Sequence, residues 1–347
     1  MKMPSCFGSA HDHDDARSAM LATAASASLS VALRGTSSLR MTAALPSDGV
    51  SSSSAVRRAL HFACPSCGDD LLPSEQSLRC AAADCKTTLD VAKEGHVHLA
   101  KPQKKAAAAE LDAIARASLA FHAAGGFEAQ FAAVADEVAR ALSGCPPSDE
   151  PQILIAGCGE GSCVRAVQER VDPTVGLWAV DTNKLSVRYA AKRQRSARFA
   201  VAPLHALPFA DGSLDVVLSL FAPSAWEEVL RVLRPGGACI VARAGSSHLD
   251  GLRVAPARDA PKQFSAGLAE QYGRCRTTET YRGEAAAALL EMTPAVRRAD
   301  DARRADLAAA AASEAGLTTE VDFIFTTHRV WLGTGGYAER DDPDALY

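Results

Sequence analysis

The feature that most constrains the fold is an apolar run that leads directly into a glycine-rich turn. Residues 153–156 read ILIA, and Gly157, Gly159 and Gly161 follow at once. Beyond this turn, short β-type runs alternate with helical stretches as far as about residue 245. Strands separated by crossover helices form a parallel sheet with helices on both faces. The sequence therefore predicts an α/β fold in the middle of the chain.

The other predicted elements follow from local composition and from the spacing of apolar residues. Further β runs lie at 177–180, 199–202, 216–221 and 238–242. Ahead of the sheet, residues 103–143 predict helix with a break at Gly125 and Gly126. Beyond residue 245 the chain is rich in Ala and Arg and predicts mostly helix, with a return to β structure at 321–325 and 329–332.

The glycine turn and a later carboxylate together predict a site for a nucleotide-like cofactor. Glycines let the backbone approach a ligand closely, and the N-terminal amides of the following helix can face an anionic group. Asp181 follows the next predicted strand, where a carboxylate can accept hydrogen bonds from two ribose hydroxyls. The alternative is an α/β scaffold that binds no nucleotide.

Four of the ten cysteines cluster in two closely spaced pairs, Cys64 with Cys67 and Cys80 with Cys85. Zinc prefers four soft ligands at the corners of a tetrahedron, and a site closed by four thiolates has a structural role. The alternative is a redox CxxC motif with two bystander cysteines, but such a motif normally lies inside its own βαβ unit. The other cysteines are scattered singly, unlike the dense framework of small secreted domains. The cluster therefore predicts a structural zinc site.

The first part of the chain has the composition of a targeting segment. Residues 16–60 contain five Arg, one acidic residue, no Lys or Glu, and many Ser and Ala. Organellar transit peptides share this composition. We expect an organellar location, with a chloroplast favoured over a mitochondrion. A disordered tail without a targeting role is the alternative.

Charge and hydropathy limit the partners of the chain. The net charge is −4, so the chain as a whole is not a polycation. Any surface that binds nucleic acid must therefore be a local patch of positive charge. No stretch approaches the roughly 18 uninterrupted apolar residues that a membrane helix needs. A membrane-spanning protein is therefore not expected. The candidate phosphate-binding cations are Lys101, Lys104, Lys105, Arg188, Lys192, Arg193, Arg195, Arg297, Arg298, Arg303 and Arg304. A solvated helix face is the alternative for each of them, and for the last four the two interpretations have equal weight.

Two later motifs extend the pattern of the glycine turn. Leu207-Pro208-Phe209 precedes the fourth β run, and Arg234-Pro-Gly-Gly237 precedes the fifth. With the turn and Asp181, this series resembles the class I S-adenosylmethionine-dependent methyltransferases over most of residues 150–245. The resemblance implies an α/β fold with a Rossmann-like, seven-stranded methyltransferase sheet. It also implies S-adenosyl-L-methionine as cofactor, bound by Gly157, Gly159, Glu160, Gly161, Ser162, Cys163, Asp181, His205, Ala206 and Leu207, the last three near the adenine.

A narrower resemblance rests on motifs in a fixed order along residues 62–330. They are Cys64-Pro-x-Cys67, Lys93-Glu-Gly95, Ala123-Ala-Gly-Gly-Phe127, Phe221-Ala222-Pro223 and Met292-Thr-Pro294. In this order they resemble the bacterial 23S rRNA (guanine-N1)-methyltransferases of the RlmA type. The resemblance implies methyl transfer to N1 of a guanine in a large-subunit rRNA hairpin, with a structural zinc ion. The family usually has a His as fourth zinc ligand, closer to the third, whereas this chain has Cys85.

The same resemblance assigns further site residues. Phe127 and His248 match positions near the cofactor. Phe221, Ala222 and Pro223 would position the acceptor at the end of the fourth strand. The group that takes the proton from guanine N1 stays open among Glu160, Asp181 and His248.

The expected organisation has five parts, with rRNA as partner, no membrane, and a homodimer as a further expectation. The parts are a disordered targeting presequence (1–57), a zinc-binding module (58–100), a helical linker (101–144), the methyltransferase domain (145–335) and a flexible tail (336–347). Two other functions stay open. One is a methyltransferase acting on a small molecule such as a quinone, and the other is a non-catalytic RNA-binding assembly factor.

Overall fold

The structure is a computed structural model that describes residues 61–100, 105–222, 226–252 and 271–330. The predicted presequence, the predicted tail and Pro223 lie outside these ranges. Among the described helices, none combines the length and apolar character needed to cross a membrane.

The cysteine-rich region begins with a small antiparallel sheet. Its strands are β1 (Leu71–Ser74), β2 (Ser77–Cys80) and β3 (Thr88–Asp90), in the order β1-β2-β3. The β1–β2 hairpin returns the chain so that Cys80, at the end of β2, lies opposite Leu71. This return brings the second cysteine pair toward the first.

The main sheet has eight strands in the order β10-β11-β9-β8-β5-β6-β7-β4. They are β4 (His96–His98), β5 (Gln152–Ala156), β6 (Gly176–Asp181), β7 (Arg198–Val201), β8 (Leu214–Leu220), β9 (Leu233–Ala244), β10 (Gln271–Tyr281) and β11 (Leu317–Arg329). Strand β11 pairs antiparallel with both β9 and β10, and the other pairs are parallel. Strands β5 to β11 form the expected methyltransferase-type sheet.

The eighth strand, β4, comes from the cysteine-rich region and was not expected. It pairs in parallel with β7, so that His96 lies opposite Phe199 and His98 opposite Val201. Residues assigned by sequence to the zinc-binding module therefore form the edge of the main sheet. The domain boundaries themselves stay predictions.

The helices lie between these strands and ahead of them. They are α1 (Lys105–Ala123), α2 (Glu128–Ser143), α3 (Ser162–Gln168), α4 (Lys184–Arg193), α5 (Trp226–Val232), α6 (Gly283–Met292), α7 (Pro294–Arg297) and α8 (Asp301–Ala312), with a short 3-10 helix at Asp250–Leu252. The break between α1 and α2 falls at the predicted glycines, where Gly125 has a φ of +87°.

A hydrophobic core covers each face of the main sheet. On one face, Phe131 and Val138 of α2 pack in the same cluster as Ile153 and Ile155 of β5. On the other face, Leu154 of β5 packs in a cluster with the aromatic residues Phe62, Trp178 and Phe209. All residues of β5 and β8 are buried, as expected for central parallel strands with both faces covered.

The expectation of mostly helix after residue 245 is wrong for β10. Its sequence, QYGRCRTTETY, alternates more and less exposed side chains, which is the period of a strand at the edge of a sheet. The long polar side chains on its open face hide that alternation from a reading of apolar residues alone. The β runs at 321–325 and 329–332 belong, as far as the structure describes them, to the single strand β11 and the residue after it.

Candidate active site

The glycine turn lies at the carboxyl end of β5, in the place where ligands bind parallel α/β sheets. Gly157 has a φ of +82°, and a Cβ atom there would lie 2.6 Å from the carbonyl oxygen of Leu220 in β8. At Gly161, with a φ of +98°, a Cβ atom would lie 2.9 Å from Cβ of Ala190 in α4. Side chains at these two positions would push the turn away from its neighbours.

Asp181 holds the turn from the end of β6. One carboxylate oxygen accepts a hydrogen bond from the backbone N–H of Gly159 at 2.9 Å, and the other accepts from Asn183 at 2.8 Å. Burial raises the pKa of Asp181, although these backbone N–H groups oppose the shift. The structure thus brings Asp181 and the turn together, and ribose binding by this carboxylate stays a prediction.

A cavity of about 590 Å³ opens beside the turn. Seven of the predicted site residues line it, namely Phe127, Gly157, Gly159, Glu160, Cys163, Phe221 and His248. Its wall is aromatic: the rings of Phe127 and His248 lie 5.4 Å apart, and those of His248 and Phe221 are stacked at 6.1 Å. Such a wall can stack against a flat heterocycle.

The left-handed backbone conformations of the described chain concentrate at this cavity. Four described non-glycine residues have a positive φ, and three of them line it: Phe127 (59°), Phe221 (48°) and Leu249 (55°). Residues with a side chain adopt this conformation only at a cost, and such strain is commonest at functional sites.

A polar cluster missed by the sequence analysis lies in the same wall. Glu160, only 3% exposed, lies 2.6 Å from Nδ1 of His122 and 3.2 Å from the guanidinium of Arg193. Its carboxylate also accepts a hydrogen bond from the hydroxyl of Ser162 at 3.1 Å. The sequence carried no signal for His122, because helix α1 and the turn meet only in the tertiary fold.

The residues predicted near the adenine lie elsewhere. His205, Ala206 and Leu207 line a second cavity of about 1190 Å³, together with Thr182 and the Cys64–Gly68 knuckle. The predicted cofactor residues therefore line two different cavities, and Gly161, Ser162 and Asp181 line neither of them. Ala222 lies behind the turn, since a Cβ atom on Gly157 would meet it at 2.9 Å.

A charged network fixes the loop that carries these residues. Glu228 accepts a hydrogen bond from the backbone N–H of Leu207 at 2.7 Å. Arg231 donates to the carbonyl oxygens of Leu207 (2.9 Å) and Phe209 (2.7 Å) and to Glu228. The hydrogen bonds from Arg231 lower the pKa of Glu228. Helix α5 thus holds the 205–209 loop in one conformation.

The four clustered thiols meet in space. Their sulfur atoms all lie within 4.8 Å of one another, with Cys64 and Cys85 at 3.7 Å and Cys67 and Cys80 at 3.4 Å. Tetrahedral zinc with bonds of about 2.3 Å places its sulfur ligands about 3.8 Å apart. The structure therefore brings Cys85 to the fourth position despite its offset in the sequence.

The four thiols affect one another's ionisation. Burial opposes the thiolate of Cys64, but hydrogen bonds from the N–H groups of Ser66 and Cys67 and from the side chains of Thr87 and Cys85 together lower its pKa to about 6. Burial and the neighbouring thiols raise the pKa of Cys80 to about 12. Four thiolates this close repel one another unless a cation neutralises them. The donor set fits a structural zinc ion.

Several of the candidate phosphate-binding cations are engaged within the protein. Arg188 lies 2.9 Å from a carboxylate oxygen of Glu94, and Arg195 donates to the backbone carbonyl of Glu94 at 3.2 Å. With Arg193 bound to Glu160, three of the four candidate cations around α4 hold the fold. Arg188 and Arg195 attach the loop before β4 to the main sheet.

Comparisons with known proteins agree with this arrangement. The family model described as "Methyltransferase domain" matches residues 153–237. A "Putative 23S rRNA (guanine-N(1)-)-methyltransferase" of Micromonospora griseorubida is 34% identical over 58% of this chain and 73% of its own length. A protein of Bacillus subtilis with the same description is 32% identical over 67% of this chain and 86% of its own length. The "23S rRNA (guanine(748)-N(1))-methyltransferase" of Streptomyces fradiae is 32% identical over 54% of this chain and 65% of its own length.

The glycine turn with Asp181, the thiol cluster and these similarities agree with one another across the described chain. The chain is an S-adenosylmethionine-dependent methyltransferase and belongs to the 23S rRNA (guanine-N1)-methyltransferase family.

Proposed function

We propose that this protein transfers a methyl group from S-adenosylmethionine to N1 of a guanine in large-subunit, 23S-type rRNA. The observation that carries the proposal is the 590 Å³ cavity, where the glycine turn meets an aromatic wall large enough for a base. The names of the bacterial relatives support the same substrate.

The residues around the turn fit the cofactor. Gly157 and Gly159 would face its methionine part, and Asp181 would accept hydrogen bonds from its ribose. When bound, S-adenosylmethionine supplies a methyl group already activated by its positive sulfur. The protein then has to align the acceptor with that methyl group and exclude water from the contact.

The acceptor base has to leave its stack to enter the cavity. Phe221, at the end of β8, is 46% exposed, so that its ring is available to a base from outside. Stacking of a base on an aromatic side chain is worth about 1–3 kcal/mol. Guanine N1 carries a proton at neutral pH, so a group in the cavity must accept it before or during attack.

The cysteine-rich region would support this site from the side of the adenine. The backbone N–H of Ala63 donates to the carbonyl oxygen of Pro208 at 2.8 Å, and the ring of Phe62 lies 5.6 Å from that of Phe209. Zinc binding next to these residues would therefore steady the 205–209 loop as well as the region itself.

The proposed function is tested by mapping reverse-transcription stops on an unmodified 23S rRNA transcript. N1-methylguanine cannot pair, so incubation with protein and S-adenosylmethionine is expected to create one strong stop beside a guanine. At an S-adenosylmethionine concentration that limits the wild-type protein, Asp181→Ala is expected to weaken the stop strongly. Asp136→Ala is the matched control and is expected to retain the stop, because the Asp136 carboxylate lies on an exposed surface, where it pairs with Arg170.

Together with binding measurements, the result distinguishes this function from the two alternative functions. A protein that binds S-adenosylhomocysteine but creates no stop would point to a small-molecule acceptor. A protein that binds rRNA but not S-adenosylhomocysteine would be an assembly factor.

We also propose that the protein works in an organelle, with a chloroplast favoured, because of the composition of residues 16–60. The full chain carrying a C-terminal fluorescent tag is expected to enter chloroplasts, and the same chain without residues 1–57 is expected to stay outside. Equal distribution of the two would contradict the proposal.

A further inference from the structure

His122 combines burial, a fixed orientation and a ring nitrogen without a protein partner. Its side chain is 9% exposed, and its ring packs 5.7 Å from that of Phe127 and 5.2 Å from that of Phe131. Nδ1 meets Glu160 at 2.6 Å, whereas Nε2 is buried and makes no hydrogen bond to any described residue. A buried polar atom without a hydrogen-bond partner is destabilising, which makes Nε2 a candidate to bind a ligand.

The contact with Glu160 fixes the tautomer of His122. An ionised carboxylate can only accept hydrogen bonds, and the Glu160 carboxylate also lies 3.2 Å from the guanidinium of Arg193, which can only donate. Nδ1 of His122 must therefore carry the hydrogen, which leaves a lone pair on Nε2. A carboxylate behind an imidazole also stabilises the cation that forms when Nε2 takes up a proton.

The other three candidates for the proton acceptor are occupied. Nδ1 of His248 accepts a hydrogen bond from the backbone N–H of Asp322 at 3.2 Å, so neutral His248 carries its hydrogen on Nε2 and offers a donor there. Asp181 accepts from Gly159 and Asn183. Glu160 is enclosed by His122, Arg193 and Ser162.

We propose that Nε2 of His122 accepts the proton of guanine N1 and that Glu160 is its positioning residue, an inference that rests on the proposed function. The N1–H bond breaks toward Nε2 and leaves its electron pair on N1. That pair forms the new bond to the methyl carbon as the bond from carbon to sulfur breaks, and the electrons of the broken bond stay on sulfur. S-adenosylhomocysteine and N1-methylguanine result, and the imidazolium returns its proton to water.

The groups that face His122 come from several elements. The charged and titratable side chains that line its cavity, bind Glu160 or pack beside its helix are Cys158, Glu160, Cys163, Arg193, His248, Tyr281 and Arg298. Of these, His248 is the other imidazole, and its own titration must be separated from that of His122.

The test compares His122→Gln with His61→Gln, a histidine outside the cavity. The rate of N1-methylguanine formation on the rRNA transcript is measured across pH, and S-adenosylhomocysteine binding is measured by calorimetry. Gln keeps a hydrogen bond to Glu160 but cannot accept a proton. We expect His122→Gln to slow methylation about 100-fold or more at neutral pH, the usual worth of a general base, with cofactor affinity unchanged. His61→Gln is expected to behave as the wild type.

The pH profiles give the second readout. Because a proton acceptor works only while it is unprotonated, the wild-type rate is expected to fall in acid, and this acid limb is expected to persist in His248→Gln but not in His122→Gln. The defect of His122→Gln should shrink in alkali, where guanine N1 ionises without help.

Four results would overturn the inference: a wild-type rate in His122→Gln, an acid limb that survives in it, loss of that limb in His248→Gln, or loss of S-adenosylhomocysteine binding in His122→Gln, which would make His122 a cofactor ligand. Absence of any guanine stop with the wild-type protein, in contrast, would refute the proposed function itself.

Discussion

At the scale of single residues, Asp181 is the predicted ribose ligand and also holds the backbone of the glycine turn. Its partly buried carboxylate accepts hydrogen bonds from two backbone N–H groups. A hydrogen bond to a charged group is worth about 1.5–3 kcal/mol. We expect Asp181→Ala to weaken S-adenosylhomocysteine binding by a factor of about 10–100, since 1.4 kcal/mol is tenfold. Calorimetry against Asp136→Ala checks this, and equal affinities would remove Asp181 from the cofactor site.

Arg231 is a second residue whose contacts reach well beyond its own helix. It donates to two carbonyl oxygens of the 205–209 loop and to Glu228 while only 31% exposed. We expect Arg231→Gln to lower the free energy of unfolding by about 1–3 kcal/mol, because these acceptors lose a charged donor. Urea unfolding measures the change. A difference within the error of the wild-type value would show that the network is not coupled to stability.

The ion pair between Arg231 and Glu228 predicts how the stability of the folded protein depends on pH. The folded protein holds the pKa of Glu228 below its ordinary value of 4.5. The stabilisation is therefore present above that value and is lost as the pH falls through the lower folded pKa. We expect the free energy of unfolding to decrease less on acidification in Arg231→Gln than in the wild type, because Glu228 has lost the guanidinium that lowers its pKa. Parallel acid curves for the two proteins would contradict this.

At the scale of elements, the cysteine-rich region is part of the core of the catalytic sheet. Strand β4 pairs with β7, and the ring of Phe62 packs edge-on against Trp178 at 4.9 Å. Deleting residues 58–100 would remove both contacts, so loss of activity after that deletion would not distinguish an rRNA substrate from a small molecule. Point substitutions are the better probes.

Phe62→Ala tests this packing. Phe62 is 6% exposed, and truncating a buried Phe costs about 3–5 kcal/mol. Leu72→Ala in β1 is the matched control, because Leu72 is 41% exposed and its truncation is expected to change stability by less than about 0.5 kcal/mol. Both are measured by chemical unfolding. Equal, small effects would mean that the region folds independently of the sheet.

Loss of zinc is predicted to destabilise the cysteine-rich region and the 205–209 loop that it contacts. Cys85→Ser is expected to lower the zinc content measured by elemental analysis and the melting temperature. It is also expected to lower the affinity for S-adenosylhomocysteine, because the 205–209 loop packs against this region. Cys275→Ser, in β10 and apart from the cluster, is expected to change none of the three. Full zinc content in Cys85→Ser would exclude this thiol as a ligand.

At the scale of the whole molecule, the sequence predicts what local patterns encode. Strands β5 to β9 were recognisable because their apolar runs alternate with helices, and the thiol cluster was recognisable from its spacing. Strand β10 was missed because an exposed edge strand tolerates polar residues. His122 with Glu160, and β4 with β7, were missed because these contacts join segments that are distant in the chain and leave no local trace.

The central claim is that the chain places a methyl group on N1 of a guanine in large-subunit rRNA. The most direct measurement is nucleoside mass spectrometry of 23S rRNA treated with the purified protein and S-adenosylmethionine. The account predicts N1-methylguanosine approaching one per rRNA molecule with the wild-type protein and much less with Asp181→Ala at the same limiting S-adenosylmethionine concentration and reaction time. Unmodified rRNA, or a methyl group on another nucleoside, from a protein that binds S-adenosylhomocysteine normally would contradict it.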